Sequence, residues 1–511
     1  MAGLPIELRD ALARWRLGEG PLSQRLATAL AAAMERQDLL PGTGLPPERL
    51  LAAQLGVART TVSAAYRTLE QRGLVSRRQG RGTHVTGADG GRAGARAAEL
   101  ATSLQRNLLF RRLGESPADA VDLLAGSAPP GPAIRAALAA AAAAVDLGTL
   151  MADHGYQPLG YPPLRRAIAA RLTGRGLPTG EEEILVTGGG QQAISLLAAC
   201  YMTPGAAVVL EDPTFPGAID AFRTAGGRIL TVPVGQPGAS YLESLAAAIS
   251  QNPVKAVYLM PTFHNPVGSV LPEPVRREVA RLGRSSGVPI IEDDTLAELA
   301  VAKGAGQARA PGQARAPGQA GGVPLPIAAH ARDAQIASVG SLSKLFWAGL
   351  RIGWIRAPRP MIAQFGRLKA VADLGTSLVS QAIAVKLLTE HDHVRDLRCL
   401  ELAERLDHLL GLMSRLLPGW TWRRPEGGLN LWARLPDGSS AELAQFASRH
   451  GVLIAPGEVM SATGRFDGFV RLPFDHPAAT LDAGIERLAT AWQAYQAELV
   501  ARGTHRVDVI V

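Results

Sequence analysis

The stretch "SVGSLSKLFWAGLRIGW", Ser338 to Trp354, sets one lysine among serines and glycines in a chain with hardly any lysine. Lysine occurs five times in 511 residues, at positions 255, 303, 344, 369 and 386. An apolar strand, "QIASVGS", precedes Lys344 and another, "LRIGWIRA", follows it. Similar strands recur between residues 119 and 500 ("EILVTGGG", "AAVVLEDP", "AVYLMP", "VPIIEDD"), alternating with amphipathic or alanine-rich helices. Strands separated by helices predict an α/β domain with a mainly parallel sheet covered on both faces. In such sheets ligands sit outside the carboxyl ends of the strands, which is where the acid of "VPIIEDD" falls.

Length alone favours two or three domains. The apolar fraction of 47% and charged fraction of 19% are those of a folded globular protein. The net charge is +8, and residues 1–85 hold 12 arginines, no lysine and 7 acids, so 12 − 7 = +5 lies there. That concentration points to a polyanion partner. Cys200 and Cys399 provide neither a disulfide framework nor a metal-ligand cluster, so no metal is expected and a reducing compartment is the default. The longest apolar run, Ala136 to Val145, is too short to span a bilayer, and the N-terminus has no signal-peptide pattern. No membrane partner and a cytoplasmic location are expected.

Within residues 1–85, Leu50, Leu51 and Leu55, then Val62, Ala65, Tyr66 and Leu69, recur at helical spacing around an "LGVA" turn. Two helices meeting so form a helix-turn-helix, whose second helix enters the major groove of double-stranded DNA. Arg59, Thr60, Thr61 and Ser63 begin that helix and suit phosphate oxygens and base edges, with Arg49 on the helix before. "VSRRQGRGTHV" reads as a two-stranded wing carrying Arg77, Arg78 and Arg81. The blocks "PLSQRLATAL", "LLPGTGLPPERLLAAQLGVARTTVSAAYRTLEQRGLV" and "GRGTHV" closely resemble the GntR type of winged helix-turn-helix. Residues 86–118 have linker composition, and 304–322, which repeat "GQARAP", read as a disordered low-complexity insertion.

A lysine amine attacks an aldehyde only when partly deprotonated, which burial and nearby cations promote. Pyridoxal phosphate is the cofactor that needs such a lysine, together with a phosphate cup, an acid for the pyridine nitrogen and an aromatic plane. Gly188, Gly189, Gly190 and Gln191 lie between a strand and a helix, where backbone N–H groups converge on an anion. Ser341 and Ser343 add hydroxyls, and Arg351 a permanent cation. Asp293 closes the strand "VPIIED", Asn265 lies in "HNPVG" and Phe215 in "DPTFPG". These supply the acid, a donor to the ring oxygen and a stacking plane.

Taken in this order and spacing, residues 119–500 resemble the fold-type I aminotransferases, with a small α+β subdomain at 395–500 and a tail at 501–511. The resemblance implies that Lys344 is the Schiff-base lysine, that Asp293 pairs with the pyridine nitrogen and that Asn265 bonds the ring hydroxyl. It further implies that Gly189, Gly190, Gln191, Ser341, Ser343 and Arg351 hold the phosphate. Arg471, in "GFVRLPF", matches an arginine for a substrate carboxylate, and Tyr156 a tyrosine reaching the partner subunit's cofactor. One departure is that Thr295 and Leu296 stand where the family usually has a tyrosine donor, which puts efficient transamination in doubt.

The joined halves resemble the MocR subfamily of transcriptional regulators. The implied function is a regulator, a domain-swapped homodimer whose large domain senses pyridoxal phosphate or an amino compound and controls operator binding. The alternative is a metabolically active aminotransferase with an accessory DNA-binding module. Effector, operator, target genes and the sign of regulation are not legible.

Overall fold

A computed structural model of the chain describes residues 12, 15, 20–35, 44–72, 74–78, 82–85, 119–124, 126, 128–152, 154–234, 239–301 and 324–507. The expected linker and low-complexity insertion lie outside these residues, as do Arg81 and the side chains of Arg77 and Arg78. The chain divides into two compact units, Met1–Gln105 and Arg106–Val511.

In the first unit three helices, Leu22–Glu35, Glu48–Leu55 and Arg59–Gln71, pack beside a small antiparallel sheet. Its strands are β1 (Gly44–Leu45), β2 (Val75–Arg78) and β3 (Gly82–Val85), in the order β1-β3-β2. The helical spacing explains the core. Leu51 and Leu55 of one helix and Val62, Ala65, Tyr66 and Leu69 of the next are buried together with Leu26 and Leu30. Gly56, at φ 63°, ends the middle helix in the left-handed conformation that a residue without Cβ adopts at no steric cost. Tyr66 donates its hydroxyl to the Pro46 carbonyl at 2.8 Å, which ties the third helix to the start of the second.

The second unit is built on a seven-stranded sheet. Its strands are β5 (Ile184–Thr187), β6 (Ala207–Asp212), β7 (Arg228–Pro233), β8 (Val254–Leu259), β9 (Ile290–Asp293), β10 (Ile336–Ser341) and β11 (Gly353–Arg356). The order is β5-β11-β10-β9-β8-β6-β7, parallel throughout except β11, which runs antiparallel to both neighbours. Strands β5, β6 and β9 are buried along their whole length, which is why they read as continuous apolar runs and not as alternating ones. The carboxyl ends of β5, β6, β8, β9 and β10 therefore share one edge. Among the described residues, no helix is long and apolar enough to cross a membrane.

A second, five-stranded sheet has the order β12-β13-β15-β14-β4. Four of its strands, β12 (Thr421–Trp422), β13 (Asn430–Arg434), β14 (Val452–Pro456) and β15 (Phe469–Pro473), fall in the segment expected to form the small subdomain. The fifth, β4 (Val121–Leu123), comes from the start of the unit and pairs parallel with β14, Val121 opposite Val452. The 395–500 boundary thus omitted a strand, because a three-residue strand pairing with residues over 300 positions away leaves no periodic signal.

Candidate functional site

Five connections leaving the shared strand edge, after β5, β6, β8, β9 and β10, carry most of the expected residues. After β5, Gly189 takes φ 104°, and the helix Gly190–Tyr201 begins at once. A Cβ on Gly189 would stand 2.8 Å from Arg351 Nη2, and one on Gly353 would stand 2.6 Å from the Gly189 carbonyl carbon. Glycine is needed at both positions because the two backbones and the guanidinium meet there. Arg351 itself sits at φ 55°, the left-handed region, and donates Nη2 to the Gly188 carbonyl at 2.5 Å. Gly188 N–H does not face the cup as its sequence position implied. It donates to Gln192 Oε1 at 2.6 Å, so the N–H groups left for an anion are those of the helix start.

Ser341 closes β10, and its hydroxyl donates to the Ile352 carbonyl at 3.2 Å while accepting Ser343 N–H at 3.1 Å. Ser343 Oγ is buried and has no hydrogen-bond partner among the described residues. Gln191 is exposed, its amide donating to the Gly217 carbonyl at 2.8 Å. Phe215 caps the helix Pro216–Thr224 beside Gly217, at the end of β6, and is half-buried.

Lys344 is half-buried and donates Nζ to the Gly126 carbonyl at 2.8 Å. Burial pushes its amine below the ordinary lysine value; Arg471, Arg351 and Arg398 add to this and Asp475 opposes it. Asp293 is almost wholly enclosed and accepts three hydrogen bonds. Thr295 N–H and Oγ1–H reach Oδ1 at 2.9 and 2.6 Å, and the Tyr258 hydroxyl reaches Oδ2 at 2.7 Å. Burial nonetheless raises the Asp293 pKa, against the pull of those donors. A carboxylate so placed gains from a nearby cation, and a protonated pyridine nitrogen is one.

Asn265 accepts Asn430 Nδ2 on Oδ1 at 3.4 Å, leaving its own Nδ2 to donate. Arg471, on β15, is 5% exposed. It donates to the Leu124 carbonyl and, at 3.8 Å, to Met460 Sδ, and its Nε has no partner among the described residues. Burial pushes its guanidinium down to about 10, only partly opposed by Asp475. Tyr156 is 63% exposed and stacks on His154, with ring centroids 6.0 Å apart. It stands out into solvent instead of joining the cup of its own chain.

The structure adds residues that sequence reasoning missed. Gly126 receives the lysine, Asn430 orients Asn265, and Tyr258 and Thr295 grip Asp293. The "DxT" spacing could have flagged Thr295 as a local partner of the acid; the others lack a local signal. The glycine cradle, the orphaned Ser343 hydroxyl, the orphaned Arg471 Nε and a lysine of lowered basicity together fit a phosphorylated aldehyde with an amino-acid partner.

In the first unit Thr60 and Arg59 are exposed at the start of the helix Arg59–Gln71, with Thr61 and Ser63 half-buried. Arg59 Nε donates to Glu48 Oε2 at 3.2 Å. The pair is open to solvent on its arginine side and less so on its glutamate side. Arg49 is exposed on the preceding helix.

Comparisons with known proteins match both units to families. Residues 120–488 match the class I and II aminotransferase family, and residues 22–85 match the gntR family of bacterial regulatory proteins. The chain is 32% identical to a 2-aminoadipate transaminase of Thermus thermophilus, over 66% of this chain and 81% of that protein. It is 26% identical to the HTH-type transcriptional regulator YisV of Bacillus subtilis, over 94% of this chain and 98% of that one. Among solved structures, the Thermus thermophilus α-aminoadipate aminotransferase LysN, complexed with N-(5'-phosphopyridoxyl)-L-leucine, superposes with a TM-score of 0.67 at 28% identity. The match covers 78% of this chain and 97% of that one.

Proposed function

The chain belongs to the class I and II aminotransferase family, here joined to a GntR-type winged helix-turn-helix as in the MocR regulators, and on that premise we propose a pyridoxal phosphate-dependent transcriptional regulator. One observation carries the proposal. Both halves are present in a single chain that aligns over nearly its whole length with an HTH-type regulator.

When bound, pyridoxal phosphate supplies an aldehyde carbon for amines and an electron-withdrawing ring. The chain's own residues do the rest. Gly189, Gly190 and Gln191 N–H groups, the Ser343 hydroxyl and the Arg351 guanidinium hold the phosphate, and the Ser341 hydroxyl joins them by turning its proton away from the Ile352 carbonyl. Asp293 accepts the ring N–H, Asn265 Nδ2 donates to the ring oxygen and Phe215 covers one face. Lys344 provides an amine that is unprotonated more often than an exposed lysine. Arg471 receives the carboxylate of an amino effector, its buried unpaired Nε being the donor left to offer.

Thr295 favours sensing over turnover. Its hydroxyl is spent on Asp293, so it does not replace a phenol at the ring oxygen, and control of proton movement there is weakened. The homodimer belongs to the same proposal. Tyr156, with Met151 at 76% exposed and Leu147 at 50%, suits burial against a second copy, where the tyrosine reaches the partner's phosphate. Two copies also present two DNA-reading helices to two half-sites, in the cytoplasm. Effector binding shifts operator affinity by its differential affinity for the two arrangements of the dimer.

The test uses the purified chain and DNA from upstream of its own gene. Binding at about nanomolar concentration, sequence-specific and falling steeply with salt, is expected. Loss of all sequence preference at moderate salt, together with turnovers of about one per second or faster on some amino acid and 2-oxo acid pair, would instead establish the metabolic enzyme.

A further inference from the structure

Lys369 is a second lysine in this site's surroundings, and the chemistry above does not use it. It lies on the helix Arg359–Asp373 with no exposed surface, although a buried ammonium costs several kcal/mol unless paired. Its partner is Asp373, whose two oxygens each accept Nζ at 2.6 Å. Asp373 Oδ2 also accepts Gln192 Nε2 at 2.7 Å, and Gln192 Oε1 accepts Gly188 N–H at 2.6 Å. Gly188 is thus held on both sides, by Gln192 on its N–H and by Arg351 on its carbonyl. It is the residue that leads into Gly189 and the helix start whose N–H groups form the cup.

We propose that Asp373, anchored by Lys369 and acting through Gln192, is a positioning residue that sets the affinity of the cup for the cofactor's phosphate without touching it. The reason is orientational. An amide side chain can present either its oxygen or its nitrogen to a neighbour, and a carboxylate acceptor on one side fixes which way it points. With Asp373 taking Nε2, only Oε1 can meet Gly188, whose N–H is then turned out of the cup. Arg351 keeps the carbonyl in register, so Gly189 and Gly190 N–H stay aimed at one point. Without Asp373 the amide can turn over, setting an N–H against the Gly188 N–H. The same carboxylate backs the loop that carries Tyr156. Asp373 Oδ1 accepts Gly375 N–H at 2.9 Å, and a Cβ on Gly375 would come within 2.8 Å of the Gln157 carbonyl oxygen.

The proposal rests on the cofactor assignment above, and its test separates the two. Pyridoxal phosphate and pyridoxal, which lacks the phosphate, are titrated into cofactor-free full-length protein and followed by visible absorbance. In Gln192→Leu, pyridoxal phosphate affinity falls about tenfold while pyridoxal affinity stays within about twofold and the cofactor-free melting temperature is kept, since one oriented hydrogen bond acting on the phosphate is lost. Gln192→Glu and Asp373→Asn each weaken phosphate binding as single changes. Together they reverse the bond between positions 192 and 373, the amide at 373 donating to a carboxylate that still accepts Gly188 N–H, while the amide oxygen keeps Gly375 N–H and one of the two Lys369 contacts, so the double variant recovers part of the affinity lost by the worse single. Unchanged pyridoxal phosphate affinity in Gln192→Leu, equal losses for the two ligands, or a double variant no better than its worse single overturns the proposal. An original protein that takes up no pyridoxal phosphate defeats the cofactor assignment, and this inference with it.

Discussion

Replacing Arg471 by methionine separates the cost of a binding group from its use. The guanidinium is almost fully enclosed, and burial lowers its proton affinity from the ordinary arginine value to about 10. Converted at about 1.4 kcal/mol per tenfold change, that difference makes holding the charge cost about 3 kcal/mol. The penalty applies in full at neutral pH, below both values, and lifts only as pH rises past about 10. Against it stands the hydrogen bond to the Leu124 carbonyl, worth about 1.5 kcal/mol for a charged donor. Methionine fills similar volume without the charge, so cofactor-free Arg471→Met gains about 1–2 kcal/mol, seen as a melting temperature higher by about 2 °C. The gain is bought with function. In the cofactor-loaded protein, amino acids that perturb the visible absorbance need about thirtyfold higher concentration once a charge-assisted contact to their carboxylate is gone. A variant that melts several degrees lower, or answers amino acids as before, would show that Arg471 is a structural anchor and refute this reasoning.

Two further outcomes follow from buried carboxyls. Glu292 is fully enclosed and accepts hydrogen bonds from Ser338 Oγ and the Ile327 and Ala328 N–H groups. Burial first, then neighbouring Asp294, raises its pKa from 4.5 to about 7. A carboxyl with a raised folded value contributes stability at low pH that is lost as pH rises from about 4.5 through about 7. Glu292→Gln should remove a pH-dependent loss of about 3 kcal/mol, measured by denaturant melts at pH 5 and pH 8; an unaltered slope would exclude Glu292 as its source. Thr295→Val keeps the shape beside Gly190 but deletes the 2.6 Å hydrogen bond to Asp293, and should weaken pyridoxal phosphate binding at least about tenfold. Titration of the cofactor-free protein reads this directly, and unchanged affinity would mean that Thr295 does not hold the acid.

What was legible in the sequence is local. The alternation of buried strands and helices, the glycines after β5, the acid ending β9 and the lysine after β10 all announce themselves by neighbours a few residues away. Because parallel strands share a carboxyl edge, naming those loops already places them on one side of a sheet. Contacts made across the fold were not legible. Lys344 meets Gly126, Asn265 meets Asn430, and Lys369 and Asp373 reach Gly188 only through Gln192, each pair separated by well over a hundred positions without a shared motif. The pairing of β4 with β14 is of the same kind. Gly188 shows the limit of motif reading. Its place in a glycine run suggests a cup donor, yet its N–H is committed to a side chain four residues on.

The central claim is that the aminotransferase-like unit controls what the winged helix does. Its most direct measurement is the affinity of the full-length protein for its own upstream DNA, at fixed salt, with and without pyridoxal phosphate, for the original chain and Lys344→Ala. The account predicts that the cofactor changes operator affinity in the original chain by about fivefold or more, a typical coupling, and that Lys344→Ala abolishes the change while keeping basal DNA binding. Operator affinity that is the same with and without the cofactor in the original chain, when absorbance shows that the cofactor is bound, would contradict it.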